Sequence, residues 1–549
     1  MSDARRGPRS WRPLPGLTWR GVPRDVLAGI TLVAIAVPLN IGYAQIAGLP
    51  ATAGLYGMVV PVIVYALVVS SRHVVASPDA AAAALVASSI GGLAIAGSAD
   101  YLTMAFAQAI ISGALFLLAA VFKLGFLANF LSKPILVGFV GGLALDILVS
   151  QVGKMLGLVG QRGGDFVGKV VNLVLAVPGF DPWSVGIAAV SVAVLLVGRR
   201  IAETVPWALI VLVLASVAVV VGGLDERGVA VLGPVPSGPP TLAWPMLDWE
   251  TWLALVPSAI ALTLITTAEG LLVARRYAAQ HDYRVSANRD LFAYGLANVA
   301  SGVTGSFAVG SSTSRSAAVE HAGGRSQLPS IVAAVATLAL LLFGTGVLER
   351  IPSPAIGAIV AVAVLRLLGI GDFRELWRQD RYEFAIAAAC FLTTVFAGAI
   401  PGIVVALALA LVNLARRASV ASLEVTGSAR ADPLDTPVGD VLVIRLGAPL
   451  FFANAEAFVD GVQAAVAADP DEVKHVVINL DSLSDVDATA ADSFAALRAW
   501  LTERGIGLAF SRPRDSIVGR LRELDLLRDE PVFPTNQDAL ETLSRDRRR

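Results

Sequence analysis

The chain has 549 residues, of which 56% are hydrophobic and 15% charged, and its mean hydropathy is +0.71. Soluble domains carry about 25% charged residues, whereas repeated apolar runs near 20 residues have the length that crosses a bilayer. The composition therefore excludes an ordinary soluble protein and predicts a polytopic membrane protein. The net charge of −1 gives no bulk attraction to nucleic acid. The single cysteine, Cys390, excludes a disulfide framework or a cysteine metal site.

The first 24 residues are basic and lead directly into an apolar run that begins near Asp25. We expect no separate signal peptide, and the positive-inside rule then predicts a cytosolic segment over residues 1–24. A nucleic-acid tail is the alternative interpretation. The basic residues are Arg5, Arg6, Arg9, Arg12, Arg20 and Arg24.

Apolar runs predict a transmembrane domain over residues 25–419 with fourteen elements that cross or half-cross the membrane. The residues between elements 5 and 6, 153–180, are predicted to form a mixed loop. Arginine and lysine clusters follow elements 2, 4, 6, 8, 12 and 14, which predicts that both termini are cytoplasmic; Lys154, Arg162 and Lys169 are exceptions. The elements lie near 25–46, 52–69, 78–95, 101–122, 134–152, 182–197, 205–221, 252–273, 291–304, 312–319, 330–348, 354–368, 384–396 and 401–415.

Two of these elements are interrupted and short. One follows Ala76-Ser-Pro-Asp-Ala80 and the other lies within Gly310-Ser-Ser-Thr-Ser-Arg-Ser-Ala-Ala-Val-Glu320. They are the third elements of two successive sets of seven, and an odd number of elements gives the two sets opposite orientations. Interrupted helices at matching places in two halves indicate a transporter binding site. Two unrelated re-entrant loops are the alternative.

The second interruption is rich in hydroxyl groups and contains an arginine between apolar segments. An arginine at bilayer depth costs roughly 2.5–3.5 kcal/mol on insertion scales and usually faces a cavity or a partner. A helix N-terminus adds free N–H groups and the positive end of a dipole. Ser312, Ser314 and Arg315 therefore predict an anion site inside the membrane.

Three carboxylates lie within or beside the apolar elements. Glu269, in element 8, is a functional candidate by default; its alternatives are a structural ion pair with Arg315 and an interfacial position near Arg275. Asp146, in element 5, is interpreted as a packing hydrogen bond, with a relay as the alternative. Asp79 is interpreted as the cap of the first short helix.

After residue 419 the sequence predicts a linker over 420–436 and a small α/β domain over 437–549, because short β-rich runs alternate with amphipathic helices. In the turn that joins the second strand to the second helix, Asp487 and Thr489 suit helix capping, with phosphorylation or ligand binding as the alternative. The strands are predicted at 441–446, 475–480 and 505–510, and the helices at 455–466, 489–504, 515–527 and 536–544.

The run Pro38-x-x-x-x-Tyr43-Ala-x-Ile-Ala-Gly-Leu-Pro-x-x-x-Gly-Leu-Tyr56 resembles the signature of the sulfate permease (SulP) family. The Ser-Thr-Ser-Arg-Ser stretch and a C-terminal sulfate-transporter/anti-sigma-antagonist (STAS) domain agree with that resemblance. It implies fourteen elements arranged as seven-plus-seven inverted repeats, divided into core and gate domains, with half-helices at elements 3 and 10. It also implies a cytosolic STAS domain and a homodimer in the cell (inner) membrane.

Carried onto this sequence, the resemblance implies a substrate site between the two half-helices. Its residues would be Tyr43, Ala80, Ala81, Ser312, Thr313, Ser314 and Arg315, with Glu269 as the coupling carboxylate and Thr489 at the phosphorylatable STAS position. The sequence departs from the family pattern at three places. Leu39 replaces a common Gln, Ser77-Pro78 replaces Gly-Pro, and Ala490 replaces Gly. Sodium-dependent bicarbonate members generally lack the arginine, so Arg315 favours the proton-coupled branch.

We therefore expect a secondary active transporter of a small oxyanion, with sulfate favoured over bicarbonate or dicarboxylate, that uses protons as the coupling ion and works by alternating access. An uncoupled anion exchanger or channel-like path is the first alternative. A membrane receptor that signals through the STAS domain is the second. We expect neither an enzyme nor a cofactor or metal site, because no nucleophile–base pair, metal cluster or phosphate loop is present in the sequence.

Overall fold

The structure is a computed structural model that describes residues 13–129, 132–158, 165–202, 205–419, 423–426, 440–447, 450–468, 473–483 and 485–545. Four predicted basic residues of the N-terminus, together with Arg162 and most of the predicted linker, lie outside these residues. The chain divides into two compact units, with the boundary between Ala410 and Leu411.

The described residues before Gly223 form nine helices and one short strand. Most correspond to the apolar runs of the sequence. They are α1 (Val22–Ile46), α2 (Ala51–Tyr56), α3 (Val60–Val68), β1 (Ala76–Pro78), α4 (Ala80–Ile90), α5 (Ala99–Val121), α6 (Lys133–Met155), α7 (Phe166–Ala176), α8 (Pro182–Ile201) and α9 (Trp207–Gly222).

The described residues from there to Ser419 again form nine helices and one short strand. Seven helical stretches of the described chain are long and apolar enough to cross a membrane. The elements are α10 (Trp249–Gln280), α11 (Ala287–Val303), β2 (Val309–Ser311), α12 (Thr313–His321), α13 (Leu328–Phe343), α14 (Thr345–Glu349), α15 (Ser353–Val364), α16 (Ile370–Gln379), α17 (Arg381–Ala397) and α18 (Ala399–Ser419).

The predicted second element is broken into α2 and α3 at Gly57. A side chain at this position would collide with two other segments, because a Cβ would lie 2.5 Å from Pro78 Cγ and 2.6 Å from Ser306 Oγ. Pro61, which has no N–H to satisfy, lies in the first turn of α3. The break therefore allows the segments that precede α4 and α12 to pack directly against the second element.

Two amphipathic helices occupy segments for which the sequence analysis predicted no helix. The predicted mixed loop over 153–180 contains α7, which exposes Val167, Val171 and Val174 at helical spacing. The connection between elements 12 and 13 contains α16, in which apolar and charged residues also alternate with a helical period. Both helices are too short to cross a bilayer, so a search for long apolar runs misses them.

The helices of the first unit pack as two groups. Around the two short strands, α1 packs on α13, α11 on α3 and α5, and α10 on α4 and α5. In the other group, α6 packs on α15 and α17, and α8 packs on α9 and α15. The sequence analysis expected a core and a gate domain without assigning elements to either. Contacts of α1 with α9 and α15 join them.

Paired glycines bring α5 and α11 into backbone contact. A Cβ on Gly113 would lie 2.7 Å from the Val299 nitrogen and 2.8 Å from the Gly295 oxygen, and a Cβ on Gly295 would lie 3.0 Å from the Gly113 oxygen. Small residues of this kind allow membrane helices to approach closely. The same device joins α6 to α17, where a Cβ on Gly138 would lie 2.2 Å from the Ala387 oxygen.

The second unit contains a five-stranded sheet in the order β3-β4-β5-β6-β7. Strands β4 to β7 are parallel and β3 is antiparallel to β4. The elements are β3 (Leu423–Thr426), β4 (Val441–Leu446), α19 (Ala455–Ala468), β5 (His475–Asn479), α20 (Ala488–Glu503), β6 (Gly507–Ser511), α21 (Asp515–Glu523), β7 (Val532–Phe533) and α22 (Asn536–Arg545).

Two of these strands were not predicted from the sequence. The predicted linker over 420–436 contains β3, and β7 has only two residues, which is too short for an alternation pattern. The sheet is covered on both faces. Leu442, Ile478 and Phe510 face the cluster that includes α19 and α20, while Val443 and Val477 face α22. The alternation of buried side chains along each strand specifies this sandwich.

Gly113→Ala tests the glycine contact between α5 and α11. The added methyl group meets backbone atoms, so the helices must separate, and overpacking of this kind costs about 1–3 kcal/mol. We expect a lower melting temperature of the purified protein in detergent. Gly186→Ala in α8 is the matched control, because a Cβ there has no atom within 4 Å. Equal melting temperatures for the two variants would contradict the contact.

Candidate functional site

A two-stranded antiparallel ribbon holds the two short helices together. Ala76 pairs with Ser311, and Ser77 pairs with Gly310. The helix α4 begins two residues after β1, and α12 begins two residues after β2. Further hydrogen bonds extend the pairing, because Ser312 N donates to Val75 O at 3.1 Å and Val75 N donates to Ser316 Oγ at 2.9 Å. The N-termini of the two short helices are therefore fixed beside each other.

The N-terminus of α4 is capped by Asp79, as the capping interpretation of the sequence predicted. Its Oδ1 accepts a hydrogen bond from Ala82 N at 2.7 Å, and the carboxylate also interacts with the Ala81 N–H group. Ala80 is buried and Ala81 is partly buried. The Asp79 carboxylate thus accepts hydrogen bonds from N–H groups at the start of α4, where the sequence analysis expected the substrate anion to bind.

Gly310, which pairs with Ser77 in the ribbon, lies against the carboxylate of Asp79. A Cβ on Gly310 would lie 2.0 Å from Asp79 Oδ2 and 3.3 Å from Thr266 Oγ1. The carboxylate that caps α4 therefore lies directly against β2. The side chain of Thr266, which belongs to α10, also approaches Gly310. This contact connects the short helices to the element that carries Glu269.

The N-terminus of α12 is more open than that of α4. Ser312 is the N-cap, and its Oγ accepts a hydrogen bond from Arg315 N at 3.4 Å and lies 3.4 Å from Ser314 Oγ. Thr313 and Ser314 are exposed in the unit, whereas Ser312 is partly buried. Of the two predicted anion-binding helix ends, α12 presents its first turn to open space.

Arg315 is the largest fully buried side chain of this region, with 1% of its surface exposed. Nη1 donates to Asn40 Oδ1 at 2.6 Å, and Nη2 donates to Pro78 O at 2.6 Å. Nε has no hydrogen-bond partner. The guanidinium carbon lies 5.8 Å from the centre of the Tyr43 ring, within the range of a cation–π interaction. The arginine thus joins α1, β1 and α12.

Glu269 does not form the structural ion pair with Arg315 that was the alternative interpretation of this residue. The guanidinium donates to Asn40 and Pro78 instead, and the charged group that interacts with Glu269 is Asp79. Glu269 is partly buried in α10, one helical turn after Thr266. Asp79 therefore interacts electrostatically with both Glu269 and the Arg315 guanidinium.

Asp146 has a partner that the sequence analysis did not identify. Lys169 Nζ lies 2.8 Å from both carboxylate oxygens of Asp146 and links α7 to α6. The sequence analysis placed Lys169 in a loop and therefore did not predict that a helix would hold it beside α6. This ion pair agrees with a packing role for Asp146 and leaves it outside the ribbon site.

Asn40 is the site residue that the sequence analysis missed as a candidate. It lies between Leu39 and Ile41 within the predicted signature, is fully buried, and accepts the hydrogen bond from Arg315. A signal was present, because an asparagine in an apolar span must find a polar partner. The partner is 275 residues away in the sequence, and only the packing of α1 on α12 reveals it.

In the second unit, Asp487 is the N-cap of α20 and Thr489 is not. Asp487 Oδ1 accepts from Ala490 N at 2.8 Å, and Oδ2 accepts from Phe452 N at 2.9 Å. Thr489 lies in the first turn of the helix and is exposed. Capping therefore accounts for Asp487 only.

A family model described as "Sulfate permease family" matches residues 23–390, and one described as "STAS domain" matches residues 435–539. The chain belongs to the sulfate permease family. The relatives of this family member include a probable sulfate transporter of Mycobacterium tuberculosis (strain CDC 1551 / Oshkosh), 35% identical over 95% of each chain. They also include sulfate transporter 3.1 of Arabidopsis thaliana, 26% identical over 95% of this chain and 84% of the relative.

Solved structures share the fold of this sulfate permease family member. The murine solute carrier 26 family member A9 anion transporter in the inward-facing state aligns with a TM-score of 0.87 at 21% identity, over 96% of this chain and 92% of that chain. The transmembrane domain of the cyanobacterial bicarbonate transporter BicA aligns with a TM-score of 0.62 at 20% identity, over 73% and 100%. The polytopic helical fold with a C-terminal STAS domain is thus confirmed.

The C-terminal end of α12 contacts a cluster of aromatic and titratable side chains. His281 Nε2 lies 2.6 Å from Glu320 Oε1, and the His73 ring stacks on the His281 ring with 4.4 Å between centroids. His73 Nδ1 lies 3.3 Å from Tyr283 Oη, and His73 Nε2 is buried without a partner. Burial, with a further contribution from His281, lowers the pKa of His73 to about 4.

His73→Phe tests this burial through the pH dependence of stability. The pKa of His73 is lower in the folded chain than the ordinary 6.5, so the unfolded chain binds the proton first as the pH falls. Its contribution to the free energy of unfolding is complete above pH 6.5 and falls by roughly 2 kcal/mol between pH 6.5 and 5. We expect the melting temperature of the parent chain to fall more over this range than that of His73→Phe. His321→Gln, an exposed histidine, is the control.

Proposed function

We propose that the chain is a secondary active transporter of a small oxyanion, with sulfate favoured. The observation that carries this proposal is the buried Arg315 guanidinium beside the open N-terminus of α12. A buried cation needs a compensating charge, and a helix N-terminus favours an anion. The names of the relatives, which are sulfate transporters, support the same substrate class. Bicarbonate and dicarboxylates fit the same donor groups.

The ribbon supports alternating access as the mechanism. Each half of the membrane unit supplies one strand and one short helix, and the strands run antiparallel, so the two helices leave the ribbon in opposite directions. One substrate site between them is equivalent for the two sides of the membrane. The second group of helices, which includes α6, α8, α15 and α17, then moves against the first to open either side. Both termini and the STAS unit are cytoplasmic in this proposal, and the transporter lies in the cell membrane as a homodimer.

Proton coupling is proposed through the carboxylates on the α10 side. Glu269 interacts with Asp79, and Asp79 caps the helix beside the anion site. Both carboxylates repel an anion when they are ionised. A proton on Glu269 removes one negative charge, so proton and anion bind together. This differs from the sequence-based mechanism, in which Glu269 competed directly for Arg315.

Two other functions remain as outcomes of the tests. An uncoupled exchanger or channel-like path would move the anion without responding to a pH gradient. A receptor that signals through the STAS unit would bind the anion without flux across the membrane. The electrostatic interaction of Glu269 with Asp79 favours coupled transport over both, because an uncoupled path gains nothing from ionisable groups at this site.

Arg315→Ala is expected to abolish uptake of labelled sulfate into proteoliposomes. The substitution removes the buried cation, and hydrogen bonds from a charged donor contribute about 1.5–3 kcal/mol each, so uptake should fall at least about a hundredfold. Arg315→Lys keeps the charge but cannot replace the fork that joins Asn40 to Pro78, and we expect it to be severely impaired too.

Arg284→Ala is the control, since Arg284 is exposed. Normal sulfate uptake by Arg315→Ala, with all variants reconstituted to the same density, would overturn the proposed site. Equilibrium binding of sulfate by the parent chain without any uptake would instead support the receptor.

Glu269→Gln is expected to remove the dependence of uptake on a pH gradient while some sulfate exchange remains. Glutamine has the shape of glutamic acid and cannot ionise, so the variant is fixed in a state that resembles the protonated one. The measurement is the initial rate of sulfate uptake with and without an inward proton gradient. Glu226→Gln, on an exposed loop, is the control. An unchanged response to the gradient would exclude Glu269 as the coupling group.

A further inference from the structure

Asn40 is a polar residue in the middle of α1 that no motif requires. Its side chain is fully buried, and the α2 backbone packs against it, because a Cβ on Gly54 would lie 2.1 Å from the Asn40 carbonyl oxygen. This close backbone contact fixes the position of Asn40 relative to α2. Burial of an amide is costly unless its groups are hydrogen-bonded, so the residue must have a specific partner.

The contact with Arg315 fixes which way the Asn40 amide faces. A guanidinium has only donors, so the atom 2.6 Å from Nη1 must be the oxygen. The amide nitrogen, Nδ2, consequently points away from Nη1. It is buried and has no hydrogen-bond partner among the described residues. Arg315 Nε is in the same condition, so two contacting side chains each hold an unused buried donor.

The absence of charge on Asn40 matters for anion binding as much as its shape does. The other fixed acceptor for the guanidinium, Pro78 O, is also neutral. An aspartate at position 40 could accept the same hydrogen bond, but its charge would cancel that of Arg315. The two acceptors hold the guanidinium without adding a second negative charge to that of Asp79, which already interacts with Arg315.

We propose that Asn40 positions Arg315 in the anion site and donates its own Nδ2–H group to the bound oxyanion. This inference rests on the proposed function and adds a residue to its site. The two unused donors, Asn40 Nδ2 and Arg315 Nε, favour a ligand with several oxygen atoms over a single-atom anion such as chloride, because separate oxygens can accept from both. Asn40 is thus a determinant of affinity and of the preference for oxyanions.

The experiment compares Asn40→Asp and Asn40→Leu with the parent chain in sulfate uptake. Asn40→Asp keeps the acceptor but loses a donor and adds a negative charge. Asn40→Leu has a similar volume but loses both groups. We expect the KM for sulfate to rise roughly ten- to a hundredfold in both variants, as expected for loss of hydrogen bonds that involve a charged group. The maximal rate should change much less, and chloride should compete better with sulfate than in the parent chain.

A second measurement separates positioning from a structural role. Sulfate should raise the melting temperature of the purified parent chain in detergent, and this increase should be lost in both Asn40 variants. Thr31→Ala, on α1 at a position whose hydroxyl donates to Leu27 O, is the control and should retain the increase and the KM. If Asn40→Leu does not fold, the KM and the melting temperature of Asn40→Asp test the proposal.

The outcomes distinguish this inference from the proposed function. If the parent chain takes up sulfate and Arg315→Ala does not, a normal KM in the Asn40 variants overturns the role of Asn40 alone. A changed KM with an unchanged preference for sulfate over chloride overturns the assigned selectivity. If neither the parent chain nor Thr31→Ala takes up or binds any oxyanion, the proposed function is wrong and this inference falls with it.

Discussion

The structure depends on the pairing of three residues of β1 with three of β2 inside the membrane unit. Backbone groups at bilayer depth must be satisfied within the protein, and a broken helix leaves several of them without partners. The ribbon satisfies those that precede both short helices. It also holds the two helix N-termini together, which would otherwise repel as like ends of two dipoles. An anion, or a carboxylate such as Asp79, compensates that repulsion.

The site is electrically asymmetric although the ribbon is symmetric. One helix end, that of α4, is capped by Asp79, and the other, that of α12, is capped by the neutral Ser312. Arg315 lies between neutral acceptors, while Glu269 interacts with Asp79. In the proposed mechanism, anion affinity comes from α12, and sensitivity to protons comes from Asp79 and Glu269. A coupled transporter needs both properties within reach of each other.

Glycine contacts determine how closely the elements around the ribbon approach. Gly310 admits the Asp79 carboxylate, Gly54 admits α2 against α1, and Gly113 joins α5 to α11 through backbone contact. Without a hydrophobic driving force between helices in lipid, such close packing supplies much of the stability. In the proposed mechanism, such packing suits a group of helices that keeps one binding geometry while the other helices move.

From the sequence alone we could predict the order of the long apolar elements, the two interruptions, the STAS domain and an arginine at the second interruption, because apolar length, proline and strand alternation are local signals. It missed α7 and α16, which are too short and too amphipathic to read as spans, and β3 and β7, which exist only through pairing with longer strands. The tertiary structure alone decided the partners of the buried polar groups. Asn40 meets Arg315 across 275 residues, and Glu269 lies near Asp79 and not the arginine. Such contacts depend on how distant helices pack, which no local pattern records.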